Sequence, residues 1–370
     1  MKSVQDSSLI KAHALLRSNS SMRVTPGHHY LSELTDTFND YFSGLGYQIE
    51  PPVRMTARID PTVRFIGAPI SVLKPYFMEK KIHSVGHVMV QNCIRTRNLK
   101  TLHDMDSVPK YGSFFTGMCV LIPYERLAEL CSETLKFLYD ELGLEEGEIC
   151  INISANDKDL VKAAKGLLPK SLVNVDTKQP NYYVHRYGIE GVGGRNFNLA
   201  IKNIQSGEFE DIGNIIVIES GDEKLGVELA LGDTTIVQQL LGLDHVQDNY
   251  SLELAIADPV VNRKMEDAVM ISLALYGEGL RPTNASSTQS RILRSYVKAL
   301  SLCRQLCGMS LQELRVLIEK VEASGLPFKT DGHAREIIDW IEGYEQRLDV
   351  NSVNQEDARI AKMITDMRAI

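Results

Sequence analysis

The sequence predicts an α+β protein in which an antiparallel sheet flanked by helices is followed by an all-helical domain. Strand-like segments between residues 148 and 231 are separated by polar turns, with one short helical stretch near Leu160 and no helix of crossover length. Strands joined in this way pair antiparallel, because a parallel pair needs a longer connection. From about residue 251 the apolar positions recur at helical spacing almost throughout.

Individual elements follow from the same periodicities. Tyr30, Leu34 and Phe38 lie one helical turn apart in a helix that ends near Gly44, and a second helix covers residues 124–142. Strands are predicted at residues 148–154, 181–187, 196–201, 214–218 and 226–231. The C-terminal helices are predicted at residues 262–276, 287–307, 310–323, 332–348 and 355–367.

The length of 370 residues favours two domains, because single cores stop growing at about 250–300 residues. We predict a tail or short helix over residues 1–25, a sheet domain over residues 26–250 and a helical domain over residues 251–370. In the helical domain, Ser310 and Glu313 have the spacing of a capping box.

Charge and composition narrow the function classes. A net charge of −8 argues against a protein that coats nucleic acid, although local contact with one RNA end stays open. The apolar runs are too short to span a bilayer, and the N-terminus lacks the pattern of a secretory signal. Six scattered cysteines without CxxC spacing suit a reducing compartment. We therefore expect a soluble cytoplasmic protein with no membrane partner.

Two segments have the residue types of a nucleotide site. Arg95 ends a strand-like segment, a polar loop follows, and Phe115 returns on an aromatic strand, so that a guanidinium could hold a phosphate and a ring could stack on a base. The glycine-rich residues 188–195 could bring backbone amides against a phosphate or a small substrate. A surface arginine with a core phenylalanine, and a plain tight turn, are the competing interpretations.

The histidines and acidic residues give no metal site by their spacing. Four histidines do not match a helical HxxxH pattern, and hydrogen-bonded or solvated histidines are the favoured interpretation; they are His83, His87, His103 and His185. Asp222, Glu223 and Glu228 are residue types that bind Mg²⁺. A turn between two strands explains Asp222 and Glu223 better. We predict no protein-held metal.

Several segments resemble, in order, the catalytic domain and the helical tRNA-recognition region of the alanyl-tRNA synthetases, a class II family. The pieces that carry the resemblance are Asp60-Pro-Thr with Lys74-Pro-Tyr-Phe (motif 1), Gln91-Asn-Cys-Ile-Arg with Ser113-Phe-Phe (motif 2), Asn181-Tyr-Tyr, Asp211-Ile-Gly-Asn, Val227-Glu-Leu-Ala-Leu-Gly (motif 3), Gly279-Leu-Arg-Pro-Thr-Asn and Arg291-Ile-Leu-Arg. The resemblance runs from about Val24 to Gly308 and implies a class II synthetase-like sheet. The family's editing domain and C-terminal tail find no counterpart, so we expect a truncated, divergent paralogue.

The resemblance implies a role for eight residues. Arg95 would bind the α-phosphate of ATP, Phe115 would stack on adenine, and Gly232 would complete the nucleotide site. Asn214 and Glu228 would hold the amino acid, with Glu228 opposite the α-ammonium, where a carboxylate is needed because a buried ammonium without a partner is costly. The remaining pocket residues would be Tyr183, Ile216 and Ala230.

This chain departs from the family at three positions. The motif-3 arginine that contacts the γ-phosphate is replaced by Thr235, next to an acidic residue, and the glutamate of motif 2 is replaced by Thr116. Arg195 and Arg97 are the candidate replacements for the lost arginine. A pocket glycine is replaced by Ala230, so the substrate need not be alanine.

The predicted function is ATP- and Mg²⁺-dependent activation of a small amino acid as an aminoacyl-adenylate. The acceptor would be a tRNA acceptor stem, a carrier protein or a small amine. One alternative is a non-catalytic paralogue that binds amino acid, nucleotide or RNA as a regulator or subunit, and another is the same fold with different chemistry or a structural role. A homodimer through motif 1 is a further expectation.

The helical domain offers a candidate RNA contact. By the resemblance, Asn284 would lie where the family reads the acceptor stem. Five basic residues could form an RNA-binding patch or an ordinary solvated helix face, namely Arg281, Arg291, Arg294, Lys298 and Arg304.

Overall fold

A computed structural model describes residues 7–19, 22–177, 180–250, 252, 254, 256–284, 286–330, 332–348 and 355–368. The chain divides into two compact units. The first comprises Met1–Cys93 and Phe115–Asn249, and the second comprises Ile94–Phe114 and Tyr250–Ile370. The loop between the two predicted motif-2 strands is therefore part of the second unit.

The first unit is a sheet flanked by helices. Its strands are β1 (Gln48–Ile49), β2 (His87–Ile94), β3 (Phe114–Ile122), β4 (Ile149–Ser154), β5 (Val173–Asp176), β6 (Val184–Arg186), β7 (Val192–Lys202), β8 (Phe209–Ser220) and β9 (Glu223–Gly232). Its helices are α1 (Ser8–Ser18), α2 (His29–Gly44), α3 (Ile70–Met78), α4 (Leu127–Lys136), α5 (Lys158–Lys165) and α6 (Asp233–Leu241). The strand order is β1-β2-β3-β9-β8-β7-β4-β5, and β6 pairs with β7.

The predicted α+β class is confirmed, with one correction at the ends of the sheet. The central pairs β3–β9, β9–β8, β8–β7 and β7–β4 are antiparallel, as predicted. The pairs β1–β2 and β4–β5 are parallel. Strand β5 is not predicted by the sequence pattern. The short helical stretch near Leu160 is α5, which lies between β4 and β5 and provides the longer connection that a parallel pair needs.

The glycine-rich residues 188–195 form the turn between β6 and β7 and the start of β7, in line with the tight-turn interpretation. Gly193 and Gly194 lie in β7, which starts at Val192, and the predicted strand over residues 181–187 is a 3₁₀ turn followed by the short β6. A Cβ on Gly194 would lie 2.6 Å from the Cγ2 of Ile216 and 3.2 Å from the ring of Tyr187. Glycine is required there because the Tyr187 ring packs directly on the strand.

A buried ion pair fixes α3 to the segment that precedes β7. The ammonium of Lys74 lies 2.6 Å from the Oδ2 of Asp60 and donates to the carbonyl of Tyr187 at 2.5 Å and to the Oγ1 of Thr62 at 2.8 Å. Burial acts to raise the pKa of Asp60, but the hydrogen bonds from Lys74 and Thr62 outweigh it and hold that pKa below its usual value. The Asp60-Pro-Thr segment and the Lys74-Pro-Tyr-Phe segment are thus bonded to each other through Asp60, Thr62 and Lys74.

The second unit is helical, as predicted. Its helices are α7 (Pro259–Gly277), α8 (Thr288–Leu306), α9 (Leu311–Glu322), α10 (Ala334–Glu345) and α11 (Gln355–Arg368). The capping box of Ser310 and Glu313 at the start of α9 is confirmed in both directions. Across the described part of the chain, no helix combines the length and the apolar character needed to cross a membrane.

Buried hydrogen bonds attach residues 94–114 to the helices of the second unit. Asp267 of α7 accepts hydrogen bonds from the backbone N–H of Ser113 at 2.6 Å, from its hydroxyl at 2.6 Å and from the amide of Asn98 at 3.3 Å. Tyr296 of α8 donates to the Ser113 hydroxyl at 2.8 Å. Burial raises the pKa of Asp267, and these hydrogen bonds oppose the shift. The cluster holds the loop against α7 and α8.

We expect Lys74→Met to lower the free energy of unfolding by about 3–5 kcal/mol, because it leaves the Asp60 carboxylate buried without its cation. Urea denaturation monitored by circular dichroism measures the change. Lys81→Met is the matched control, since Lys81 pairs with Glu79 at the surface and its loss should cost less than about 1 kcal/mol. Equal effects of the two substitutions would contradict the assignment.

We expect Asp267→Ala to cost about 1–3 kcal/mol, because it leaves buried donors of Ser113 and Asn98 unpaired. Hydrogen exchange should accelerate at the amides of residues 95–113 before it accelerates in α9. Asp339→Ala, at an exposed position of α10, should change neither. Unaltered exchange of the loop in Asp267→Ala would show that the cluster does not hold it.

Candidate amino-acid site on the sheet face

Four of the predicted substrate residues lie together on one face of the sheet. Asn214 on β8 is directly opposite Ala230 on β9, and Ile216 is directly opposite Glu228. Directly paired residues of antiparallel strands point to the same face, as do alternate residues of one strand. The period of two therefore brings these side chains together, while their binding roles stay predictions.

Glu228 is a buried carboxyl with one neutral hydrogen-bond donor at its Oε2. Its side chain is 2% exposed, and the hydroxyl of Tyr187 donates to it at 2.8 Å. Burial raises the pKa of Glu228 to about 7, and the Tyr187 hydrogen bond reduces the rise. A ligand ammonium next to this carboxylate would lower the pKa again, since an opposite charge favours the ionised form.

A cluster of amides adjoins Asn214 on the same face. The Oδ1 of Asn198 accepts hydrogen bonds from the amides of Asn196 and Asn214, both at 2.6 Å, and its own amide donates to the Oδ2 of Asp211 at 2.7 Å. The sequence analysis missed Asn196 and Asn198. Their alternation on one strand was a usable signal, because it places both side chains on one face.

Asp211 receives two further donors from outside β7. The amide of Asn152 on β4 donates to its Oδ1 at 3.1 Å, and the hydroxyl of Tyr182 donates to its Oδ2 at 3.3 Å. Tyr183, the predicted pocket wall, is buried and donates instead to Asp176 at 2.7 Å. Tyr182 is thus the tyrosine that reaches the amide cluster.

The two predicted nucleotide-clamp residues fall in different units. Phe115 lies on β3 two residues before Gly117, which pairs with Gly232, so Phe115 and Gly232 belong to the same sheet face as Ala230. Arg95 belongs to the second unit. There its backbone N–H donates to the carbonyl of Ser113 at 2.7 Å, and its guanidinium carbon lies 4.8 Å from the Tyr111 ring centroid.

The departures in motifs 2 and 3 are bonded to each other. The Oδ1 of Asp233 accepts the backbone N–H of Thr116 at 3.0 Å and that of Thr234 at 2.6 Å. Its Oδ2 is buried without a hydrogen-bond partner, and burial raises the pKa of Asp233 to about 7. Asp233 therefore places a carboxyl in the first turn of α6, where Thr235 replaces the family's arginine.

Arg195 does not replace the lost arginine. It lies one residue before Asn196 on β7 and so points to the opposite face of the sheet. There it forms ion pairs with Asp157 and Asp159 at 3.0 Å and with Glu219 at 2.8 Å. Arg97 lies in a 3₁₀ turn of the second unit, where it is exposed.

The alternative Mg²⁺ residues and the histidines have local roles. Asp222 and Glu223 lie at the turn between β8 and β9, and Glu223 pairs with Lys80, which confirms the turn interpretation. His87 shares a hydrogen bond with Glu50 at 2.8 Å. Within the described ranges, no group of three or more His, Cys, Asp or Glu side chains is placed to hold a metal ion.

Most of the basic residues of the helical domain have partners inside the second unit. Lys298 is 5% exposed in its side chain and contacts Glu356 and Asp357, both at 2.7 Å. The remaining contacts are Arg281 with Glu336, Arg304 with Glu345, Arg294 with the carbonyl of Pro282 and Arg291 with Thr288. Asn284 accepts from Ser286 and Ser287 at the start of α8. These residues therefore form neither an ordinary solvated helix face nor an open RNA-binding patch.

We expect the stability difference between Glu228→Gln and the wild type to depend on pH. The pKa of Glu228 is about 7 in the folded protein against 4.5 for an ordinary glutamate, so the folded state retains a proton that the unfolded chain loses between these values. Wild-type stability therefore falls as pH rises through this window. The glutamine variant should gain up to about 3 kcal/mol relative to wild type by pH 8.

Urea denaturation at a series of pH values between 4.5 and 8 measures this difference. Glu223→Gln, in the exposed turn between β8 and β9, is the control and should follow the wild type at every pH. A constant difference between Glu228→Gln and wild type would mean that Glu228 does not titrate in this window.

No family model matches the chain. It is 22% identical to an alanine–tRNA ligase from Ehrlichia ruminantium over 342 residues, which cover 79% of this chain and 37% of that protein. It is 21% identical to an alanine–tRNA ligase from Ehrlichia chaffeensis over 318 residues, covering 73% and 34%. The chain thus spans little more than a third of the length of these curated relatives.

Solved structures similar to this chain include two synthetase chains. One is the RNA binding domain of threonyl-tRNA synthetase from Cryptosporidium parvum Iowa II, with 13% identity, a TM-score of 0.38 and coverage of 62% of this chain and 71% of that chain. The other is an aspartyl-tRNA synthetase from Entamoeba histolytica, with 9% identity, a TM-score of 0.37 and coverage of 60% and 56%. The predicted resemblance is confirmed by the curated relatives: over most of its length, this chain is similar in sequence to the alanine–tRNA ligases.

Proposed function

We propose that this protein binds a small amino acid on the face formed by β8 and β9 and activates it with ATP as an aminoacyl-adenylate. The observation that carries the proposal is the buried Glu228 carboxyl beside Asn214, Ile216 and Ala230. A buried carboxylate without a cation is costly, and the α-ammonium of an amino acid is a cation of the right chemistry.

Each residue of the proposed site contacts a different part of the amino acid. Glu228 pairs with the α-ammonium, and Tyr187 keeps the carboxylate in place through its hydroxyl. Ile216 and Ala230 give an apolar floor, and Asn214 supplies an amide. The substrate carboxylate is then left to face the end of the strands where Phe115 and Gly232 lie on the same face.

Activation joins the amino acid to the α-phosphorus of ATP. A carboxylate oxygen attacks that phosphorus, a C–O–P bond forms, and the bond from the α-phosphorus to the bridging oxygen breaks, so that pyrophosphate leaves with the electron pair. The resemblance assigns Arg95 to the charge that develops on the α-phosphate and Phe115 to adenine. Mg²⁺ enters with the nucleotide, because it is held largely by phosphate and water oxygens.

The adenylate would then pass its acyl group to a tRNA acceptor stem, a carrier protein or a small amine. A nucleophilic hydroxyl, thiol or amine attacks the acyl carbon, and AMP leaves. Similarity to alanine–tRNA ligases supports a tRNA acceptor. The intramolecular partners of Lys298 and Arg304 reduce the positive charge available to RNA and so favour a carrier protein or an amine.

The non-catalytic alternative has its own supporting observation. Asp233 places a buried carboxyl in the first turn of α6, and Thr235 stands where the family has a phosphate-binding arginine. When this carboxyl is ionised, its negative charge repels the triphosphate. A protein that binds the amino acid without turning over ATP, as a regulator or subunit, is the function that this change favours.

We expect the purified protein to exchange radiolabelled pyrophosphate into ATP in the presence of Mg²⁺ and a cognate amino acid. Arg95→Ala should reduce the rate at least 100-fold, as expected for removing a donor to developing charge. Arg315→Ala, at an exposed position of α9, should leave it unchanged. Arg97→Ala tests the other basic residue of the same loop and should retain most of the rate.

Two outcomes would contradict the proposal in different ways. Amino-acid binding by calorimetry without any exchange would establish the non-catalytic alternative. Undiminished exchange in Arg95→Ala, with the fold verified by circular dichroism, would remove Arg95 from the phosphate site. Sedimentation of the same preparation tests the expected homodimer.

A further inference from the structure

The sheet face carries more hydrogen-bond acceptors than an α-ammonium and an apolar side chain can use. Beyond Glu228, it contains the Asp211 carboxylate and the Oδ1 of Asn196. Asn196 is directly opposite Ile216, which is itself directly opposite Glu228. Asn196 therefore shares the face and the cross-strand row of the proposed ammonium partner, whereas Asp211 lies further along β8, opposite Ala200.

The Oδ1 of Asn196 is a buried acceptor without a donor. The side chain is 0% exposed, its amide is used by Asn198, and its oxygen has no hydrogen-bond partner. Leaving such a group unpaired costs about 1–3 kcal/mol, and buried polar atoms in folded proteins nearly always have a partner. A ligand that brings an O–H or N–H to this oxygen recovers that loss.

Asp211 is a second group on this face that can accept a further hydrogen bond. Its donors are the neutral groups of Asn198, Asn152 and Tyr182. One of the two donors to its Oδ2 is the exposed Tyr182, while Oδ1 accepts from Asn152, and a carboxylate can accept about four hydrogen bonds in all. The face is thus rich in oxygen acceptors next to the position of the substrate side chain.

We propose that the cognate amino acid has a side chain that donates hydrogen bonds, a hydroxyl, an amide or an amine, and that aliphatic amino acids such as alanine are poor ligands. This rests on the proposed binding of an amino acid at Glu228. The Asn196 oxygen and Asp211 recognise the side-chain donor, while Glu228 holds the α-ammonium. An aliphatic side chain leaves the Asn196 oxygen unpaired and gives Asp211 no further donor beyond Asn198, Asn152 and Tyr182.

Isosteric pairs give the sharpest test, because they differ in the donor and not in the size. Serine is compared with 2-aminobutyrate, and threonine with valine; asparagine and 2,3-diaminopropionate distinguish a neutral amide from a cationic amine. Sites built to bond a donor reject the analogue that lacks it by factors on the order of 10⁴. We expect at least a 100-fold preference for the donor member in calorimetric affinity and, where exchange occurs, in kcat/KM.

Substitutions at Asp211 and Asn196 test whether these two acceptors cause the preference for donor side chains. Asp211→Asn keeps the shape but replaces one acceptor oxygen with a donor amide, and we expect it to lose at least ten-fold of the preference. Asp222→Asn, in the turn between β8 and β9, is the matched control and should keep the full preference. Asn196→Leu should lower the affinity for the donor member and spare that for its isostere.

The outcomes separate this inference from the proposed function. Equal or tighter binding of the aliphatic members overturns the inference and leaves the proposed function standing. Donor-selective binding without pyrophosphate exchange upholds the inference and rejects activation. No detectable binding of serine, threonine, asparagine or 2,3-diaminopropionate overturns the inference directly.

Discussion

The candidate site depends on how Tyr187 is held. The buried pair of Asp60 and Lys74 fixes the backbone carbonyl of Tyr187 from one side, and the Tyr187 hydroxyl fixes the Glu228 carboxyl from the other. Gly194 makes room for this arrangement, because a side chain there would collide with Ile216 and crowd the Tyr187 ring. One side chain thereby connects the ion pair of the first motif to the carboxyl of the third.

The residues proposed to hold the amino acid and those proposed to hold the nucleotide depart from the family's motifs to different degrees. Asn214, Asn196 and Asn198 restrain one another through hydrogen bonds, and Glu228 lies on the same face, held by Tyr187. Near the proposed nucleotide residues, the backbone N–H of Thr116, which replaces the family's glutamate, donates to Asp233, two residues before the Thr235 that replaces the family's arginine. This difference makes recognition of the amino acid the central part of the proposed function. Pyrophosphate exchange measures the activation step that follows.

The loop that carries Arg95 is anchored by helical residues. Asp267 and Tyr296 bond the two ends of a buried cluster around Ser113, and Ser113 in turn accepts the backbone N–H of Arg95. The arginine position is therefore set by α7 and α8 and not only by the strand before it. Substitutions in these helices, far along the sequence, are expected to act on the phosphate-binding step of the proposed reaction.

The sequence alone determined α2, α4, the helices of the second unit and the central antiparallel strands, because these depend on local periodicity, whereas α3 and α6 were not predicted. A family resemblance named Asn214 and Glu228, and the register of β8 against β9 placed them on one face. The parallel pair β4–β5 was decided by the packing of α5, and the amide cluster around Asn198 by the register of three strands. Arg195 forms ion pairs with carboxylates from separate segments on the opposite face. Such partners are distant in sequence, and only the folded chain brings them together.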